Sequence, residues 1–340
     1  GRPTAIAFAP NGSRVYVTNA ELRTITVIDT ATNSITATVL VGNNPLGITV
    51  SPDGTRAYVT TADLDSVTVA DTVSNTVVGT IGVGDYPTAI TVNPAGTRAY
   101  VANSFGDSLT VIALNGVVTA ADVTINVGDS PYGMALSPDG TRAYTTNFED
   151  RSVSVINTAT NTVITTVGVG DHPYRVAVSP AGSRAYVTNF DATVPVINTA
   201  TNAVTATIDV GTLPYGIAVS PDGTFAYATN AGDDSVSVIS TATNTVVATI
   251  GVGNTPADVT FTPDGAYAYV TDAISDSVTV INTGTRTVVT TITDITNPVA
   301  VSISPDGARA YVVNMSAHTV TVLDTTTKAV VTTIGVGQNP

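Results

Sequence analysis

Pro214-Tyr-Gly-Ile-Ala-Val-Ser-Pro-Asp-Gly-Thr-Phe-Ala-Tyr-Ala-Thr-Asn230 is one copy of a phrase that runs through the whole chain. Its consensus reads Pro-x-x-Ile-Ala-Val-Ser-Pro-Asp-Gly-Thr-Arg-Ala-Tyr-Val-Thr-Asn, with a period of about forty-two residues. The Pro-x-Gly ends at Gly12, Gly54, Gly96, Gly140, Gly182, Gly223, Gly265 and Gly307. A tyrosine follows each, at Tyr16, Tyr58, Tyr100, Tyr144, Tyr186, Tyr227, Tyr269 and Tyr311. A fixed period of this length means like units, each burying its faces against its neighbours.

The sixth unit shows what one repeat becomes. Tyr215 to Ser220 alternates apolar and small residues until Pro221-Asp-Gly223 interrupts it. Phe225 to Thr229, Ser235 to Ile239 and Val246 to Ile250 are three more runs of period two, separated by short polar stretches. Four strands joined by hairpin-length turns predict an antiparallel sheet. Proline presets φ at the turn, and glycine accepts the left-handed geometry that closes it. No segment carries the 3.6-residue stripe of an amphipathic helix. The fold class is therefore all-β, a β-propeller of four-stranded antiparallel blades.

Eight repeats predict eight blades, at about 1–42, 43–84, 85–128, 129–170, 171–211, 212–253, 254–295 and 296–340, in one domain over 1–340. Seven blades plus an extra repeat is the alternative. The third repeat is irregular, reading Ile112-Ala-Leu-Asn-Gly-Val-Val-Thr-Ala-Ala121 where others have a compact turn. The first strand begins near residue 1, and Pro340 sits where a ninth repeat would start. Closure is thus expected from side-chain packing of blade 8 on blade 1, with no shared strand.

Only 11% of residues are charged and the net charge is −14, with Lys328 the sole lysine. That balance argues against nucleic acid and anionic membranes, which need basic patches. There is no cysteine, so no disulfide, thiolate metal site or cysteine nucleophile. No apolar run approaches the ~20 residues of a membrane span, so no insertion within this chain is expected, and any leader or anchor is expected outside the residues read.

The punctuation separates propeller families. There is no Trp, and neither histidine follows a glycine, which excludes the Gly-His and Trp-Asp pairs of WD40 blades. Tyr16-Val-Thr-Asn19 and Tyr186-Val-Thr-Asn189, with variants at Tyr100-Val-Ala-Asn103 and Tyr227-Ala-Thr-Asn230, resemble the YVTN-repeat family of surface-layer and cell-envelope propellers. The resemblance covers the whole chain and implies an extracellular or cell-surface location. It implies little about activity, because the motif residues are architectural.

Candidate chemistry gathers on one face, called the upper face, where outer-to-inner and second-to-third strand loops surround the channel mouth. Tyr86, Tyr132, Tyr174 and Tyr215 fall in the first kind of loop, and Phe105, Phe148 and Phe190 in the second. His172, Arg175, Glu149, Asp150 and Asp191 share the sector, and Pro195 removes a ladder donor from the third strand of blade 5. Arg175 is the only base and Asp258 the only acid at the start of an innermost strand. Tyrosines offer flat contacts and a hydroxyl each, which suits stacking on sugars or binding a protein. The alternative is that these rings plug the mouth or cover loop backbone.

His172 and His318 lie in different repeats and cannot make a three-histidine metal site. Asp63, Asp65, Asp85, Asp129, Asp171, Asp233, Asp234 and Asp276 recur in upper loops, without the Asp-x-Asp-x-Asp-Gly spacing that fixes Ca²⁺ geometry. They read as Asx-turn and solubilising residues. Ser51, Ser137, Ser179 and Ser220 repeat in register with the strands, which is turn chemistry rather than catalysis. No nucleophile elbow, phosphate loop or zinc motif is present.

The expectation is a non-enzymatic envelope or secreted propeller, a binding, adhesion or display scaffold that needs no cofactor or metal and takes a surface glycan or protein. A propeller enzyme or small-molecule binder of lactonase or streptogramin-lyase type is the alternative, with His172 and Glu149 as the lyase pair. A tile of a surface lattice is the third reading. The repeat pattern itself does not fix an oligomeric state.

Overall fold

The structure, a computed structural model, describes residues 1–114 and 120–336. Residues 115–119 of the irregular third repeat, and 337–340 where a ninth would begin, lie outside the described residues. Eight four-stranded antiparallel sheets form, each running in chain order from inner to outer strand. Blade 1 is Pro3–Phe8, Arg14–Asn19, Thr24–Asp29 and Ser34–Leu40. The other inner strands are Pro45–Val50, Pro87–Val92, Pro131–Leu136, Pro173–Val178, Pro214–Val219, Pro256–Phe261 and Pro298–Ile303. Each inner strand contacts the next, and the last contacts the first, so the ring closes with eight blades and no stray repeat. Blade 3 has a short outer strand, Val123–Asn126. Among the described residues the sole helical element is one 3₁₀ turn, Ala62–Leu64, and no helix is long and apolar enough to cross a membrane.

The core is divided into junctions. The tyrosine of one blade lies against the alanine that precedes the tyrosine of the next, as Tyr16 with Ala57, Tyr144 with Ala185 and Tyr227 with Ala268. Tyr144 and Tyr227 are fully buried, and truncating rings of this size to alanine costs about 3–5 kcal/mol. The alanine is small because the neighbour's ring needs its space. At the closing junction Val15 stands in its place against Tyr311, and the Phe8 ring meets Tyr311 edge-on at 5.3 Å. The Tyr311 hydroxyl also donates to Asn33 Oδ1 at 3.0 Å and Arg2 Nε to Met315 Sδ at 3.4 Å, so packing and side-chain hydrogen bonds close the ring.

On the lower face the repeat arginine of blades 1, 3, 4 and 5 reaches the next blade's turn, while Arg56 and Arg309 pair with Asp71 and Asp324 of their own blades. Arg142 donates to the Thr199 carbonyl and to Asn202 Oδ1, and Arg184 to Asn244 Oδ1. Blades 6 and 7 have Phe225 and Tyr267 at that position, and there the turn residue of the next blade is the cation. Arg286 lies 4.7 Å from the Phe225 centroid, and Lys328 Nζ 3.8 Å from the Tyr267 centroid.

The motif asparagine clasps the third strand of its own blade. Asn147 Nδ2 donates to Ser152 and Ser154, both at 2.9 Å, and Asn230 Nδ2 to Ser235 and Ser237 at 2.9 and 3.0 Å. In blade 5 Pro195 takes the place of the second hydroxyl, and Asn189 donates to the Val169 carbonyl at 2.7 Å instead. Blade 7 has Asp272 at the motif position. It is fully buried, accepts from Ser277 and Thr279 at 3.0 and 2.7 Å, and burial pushes its pKa up to about 6.

Candidate functional site

Each inner strand starts at the upper face with its proline, and the next two residues stand at the mouth of the channel. A bulge there interrupts pairing with the second strand, as between Pro173 and Val176. The threonine of the motif takes the freed N–H: Thr188 Oγ1 accepts from Arg175 N at 3.2 Å, and Thr271 Oγ1 from Asp258 N at 3.0 Å. The same hydroxyls reach across to the next blade. Thr146 donates to the Tyr174 carbonyl and Thr188 to the Tyr215 carbonyl, each at 3.0 Å. Neighbouring inner strands therefore approach closely, and a Cβ on Gly133 would lie 2.4 Å from the Tyr174 carbonyl oxygen.

This frame makes the mouth lopsided. The first residue after the proline is Tyr132, Tyr174 or Tyr215 in blades 4, 5 and 6, and smaller elsewhere, as at Thr4, Thr88 and Ala257. The second is glycine or alanine except in blades 5 and 7, where it is Arg175 and Asp258.

The three tyrosines pack on one another. Tyr132 stacks on Tyr174 with centroids 4.6 Å apart, and Tyr215 lies 4.3 Å from Tyr174 at a tilt of 39°. Their hydroxyls form a chain, with Tyr174 Oη 3.0 Å from Tyr132 Oη and 2.5 Å from Tyr215 Oη. Tyr174 is buried at the centre, while Tyr132 and Tyr215 stay half-buried. Burial, with its two phenol neighbours, pushes the Tyr174 hydroxyl well above the usual phenol range. Phe190 extends the arc 5.3 Å from Tyr174, Phe148 meets Phe190 edge-on at 5.6 Å, and His172 lies 4.6 Å from Phe148.

Arg175 and Asp258 belong to non-adjacent blades, so they act on each other past blade 6. Arg175 is exposed, although protein atoms crowd around it. Burial among them opposes its charge, yet Asp258 and the three phenols outweigh that, and its pKa rises. Burial likewise raises the Asp258 carboxyl, against the pull of Arg175 and of N–H donors that include Val301 N at 3.1 Å. The two side chains do not form an ion pair with each other.

The remaining expected residues lie apart from this centre. Tyr86 and Phe105 form their own stacked pair over blade 3, 4.4 Å apart, with Phe105 66% exposed. His172 Nδ1 lies 3.3 Å from Asp171, its polar contact, while Glu149 is exposed. Among the described residues no group of three His, Cys, Asp or Glu is placed to hold a metal. Several upper-loop aspartates bracket neighbouring blades instead: Asp65 accepts from Tyr86 N at 2.9 Å, Asp234 from Thr255 N at 2.9 Å and Asp276 from Asn297 N at 2.7 Å. These brackets hold the residue before each inner-strand proline left-handed, with φ of 54°, 55° and 51°. Aligned blades already single out Arg175 and Asp258 as the exceptions in a ring of glycine and alanine; what sequence reasoning missed is the hydroxyl chain and the coupling of the two charges past blade 6.

A family model described as YNCE-like beta-propeller matches residues 224–315, from blade 6 into blade 8. The chain is an eight-bladed β-propeller. The matched description is of the propeller, not of a surface layer. Among solved structures, this propeller is similar to hydrazine synthase from Kuenenia stuttgartiensis, at 26% identity and a TM-score of 0.66, covering 83% of this chain and 95% of that one. It is also similar to a functionally unknown protein from Desulfotomaculum acetoxidans, at 17% identity and a TM-score of 0.67 over 82% and 95% of the two chains. Dihydro-heme d1 dehydrogenase NirN, solved in complex with DHE, matches at 16% identity and a TM-score of 0.80 over 99% of this chain and 75% of that one. No curated protein matches.

Proposed function

We propose that this propeller is a non-enzymatic binding protein that takes a small ligand at the upper mouth of its channel. The observation that carries this reading is the tyrosine arc of blades 4 to 6, set over the two charges of an otherwise small-residue ring. Rings pre-organised by stacking offer a flat wall at little entropic cost, and Arg175 and Asp258 supply polar anchors. The sector lacks the parts of an enzyme: the repeated serines serve turns, as Ser220 Oγ donating to Asp222 at 2.6 Å, and His172 packs on Phe148 rather than against Glu149. A tetrapyrrole of the kind named with NirN does not suit this mouth, because the Tyr132–Tyr174–Tyr215 stack fills one side of it and Arg175 is its one base at this level.

The test is a thermal-shift and calorimetric screen of small flat ligands, beside glycans and cell-wall polymers, on the wild type and on Tyr132→Ala/Tyr215→Ala. Tyr174 is left intact because it is buried. Small-ligand binding lost in the variant supports the reading; ligands that bind both proteins alike would sink it. A second reading, a macromolecular partner on the same face, is favoured by the exposed Leu64, Phe105 and Ile274 in its loops, at 51%, 66% and 68%. It suits an envelope or secreted protein, and polymer binding lost on Phe105→Ala would establish it.

A further inference from the structure

Two opposite charges that share a channel without pairing pose a physical problem. An isolated charge among packed strands is costly unless something compensates it, and the Asp258 carboxylate, which makes no ion pair, is compensated only in part. The Asp258 carboxyl accepts from backbone N–H groups that include Val301 N at 3.1 Å, while Arg175 is exposed and its guanidinium carbon lies 5.7 Å from the Tyr174 ring centroid. Both backbones are pinned by motif threonines, so the side chains start from fixed points on the channel wall, on the two blades that flank blade 6. Relief would come from a molecule carrying both charges, inserted between them.

The surroundings narrow the choice. The upper loops are rich in exposed acids, among them Asp63, Asp85, Asp129 and Asp233, and the Arg151–Asp171 pair at 2.8 Å offsets only one of the upper-loop acids. A simple anion would be repelled on approach despite Arg175. A simple cation would be drawn in but would meet Arg175 at the mouth. A zwitterion suffers neither penalty, and the tyrosine faces add a wall for an aromatic side chain or for an ammonium group. Resting on the reading of the mouth as a small-ligand site, we propose that its ligand is zwitterionic: an aromatic α-amino acid, with its carboxylate on Arg175, its ammonium on Asp258 and its ring against Tyr132 and Tyr215.

Titration calorimetry with four probes of one shape tests this. Phenylalanine carries both charges, its methyl ester only the ammonium, N-acetylphenylalanine only the carboxylate, and p-cresol neither. Phenylalanine is expected to bind at least tenfold more tightly than the other three. Arg175→Gln should abolish the preference over the ester, and Asp258→Asn the preference over the N-acetyl compound, with both variants keeping a wild-type circular dichroism spectrum. If all four probes bind alike and Tyr132→Ala/Tyr215→Ala abolishes binding, the charge pair does not read the ligand: the inference falls and the mouth site stands. If no probe binds, or binding survives the tyrosine variant, the mouth reading falls and the inference with it.

Discussion

Asp272→Asn should stabilise this protein at neutral pH and leave it nearly unchanged in acid. The motif asparagine is matched to its niche, a neutral amide giving two hydrogen bonds to hydroxyls of the third strand. Asp272 occupies the same niche, fully buried, with a pKa raised by burial from 3.8 to about 6. A raised pKa means that the native state holds its proton more tightly than the unfolded chain does. The contribution is therefore complete below pH 3.8 and is lost as pH rises through about 6. At about 1.4 kcal/mol for each tenfold difference in proton affinity, the charged form costs roughly 3 kcal/mol above pH 7. Asparagine removes that cost and restores the donor geometry of Asn147 and Asn230.

Thermal unfolding of both proteins from pH 4.5 to 8 reads this directly. The turn aspartates, such as Asp53 and Asp222, are held below the usual carboxylate range, chiefly by serine hydroxyls, and weaken both proteins equally towards acid. Only the difference between the two melting curves isolates Asp272. The gap should open across pH 6 in favour of the variant and reach several degrees by pH 7.5. Asn230→Asp, the reverse change in blade 6, should destabilise with the same pH profile. A gap independent of pH, or a variant less stable at pH 7.5, would refute the reasoning and mean that Ser277 and Thr279 satisfy the carboxylate fully.

The repeat tyrosines yield a second contrast. The Tyr227 hydroxyl is buried without a partner, so Tyr227→Phe should be neutral or slightly stabilising, whereas Tyr311→Phe loses the bond to Asn33 and should cost about 1 kcal/mol in urea unfolding. On the lower face, Arg286→Asn should cost about 0.5–1 kcal/mol by exposing Phe225 to a partner without charge. Adding Phe225→Arg should recover that loss by recreating the arginine–asparagine latch, and a double-mutant cycle without positive coupling would exclude the exchange.

Much of the molecule was legible because its information is local and repeated. Period-two runs and Pro-x-Gly turns fix each blade within some forty residues, and the tyrosine phase gives the count. The irregular third repeat raised seven blades as an alternative. Eight is decided by closure, where Val15 and Phe8 meet Tyr311 from the far end of the chain. The upper-face aromatics were also legible as a group, since loop class alone places them.

The sequence by itself determined the strands, the blades, the face on which function gathers and the absence of thiol chemistry. Only the tertiary structure decided which of those residues meet. It separates Tyr86 and Phe105 from the arc, buries Tyr174 between its neighbours, and couples Arg175 to Asp258 past the blade between them. The physical reason is that a repeat encodes contacts within a blade and with the next one. Contacts across the ring depend on its closed geometry, and no spacing in the chain records that.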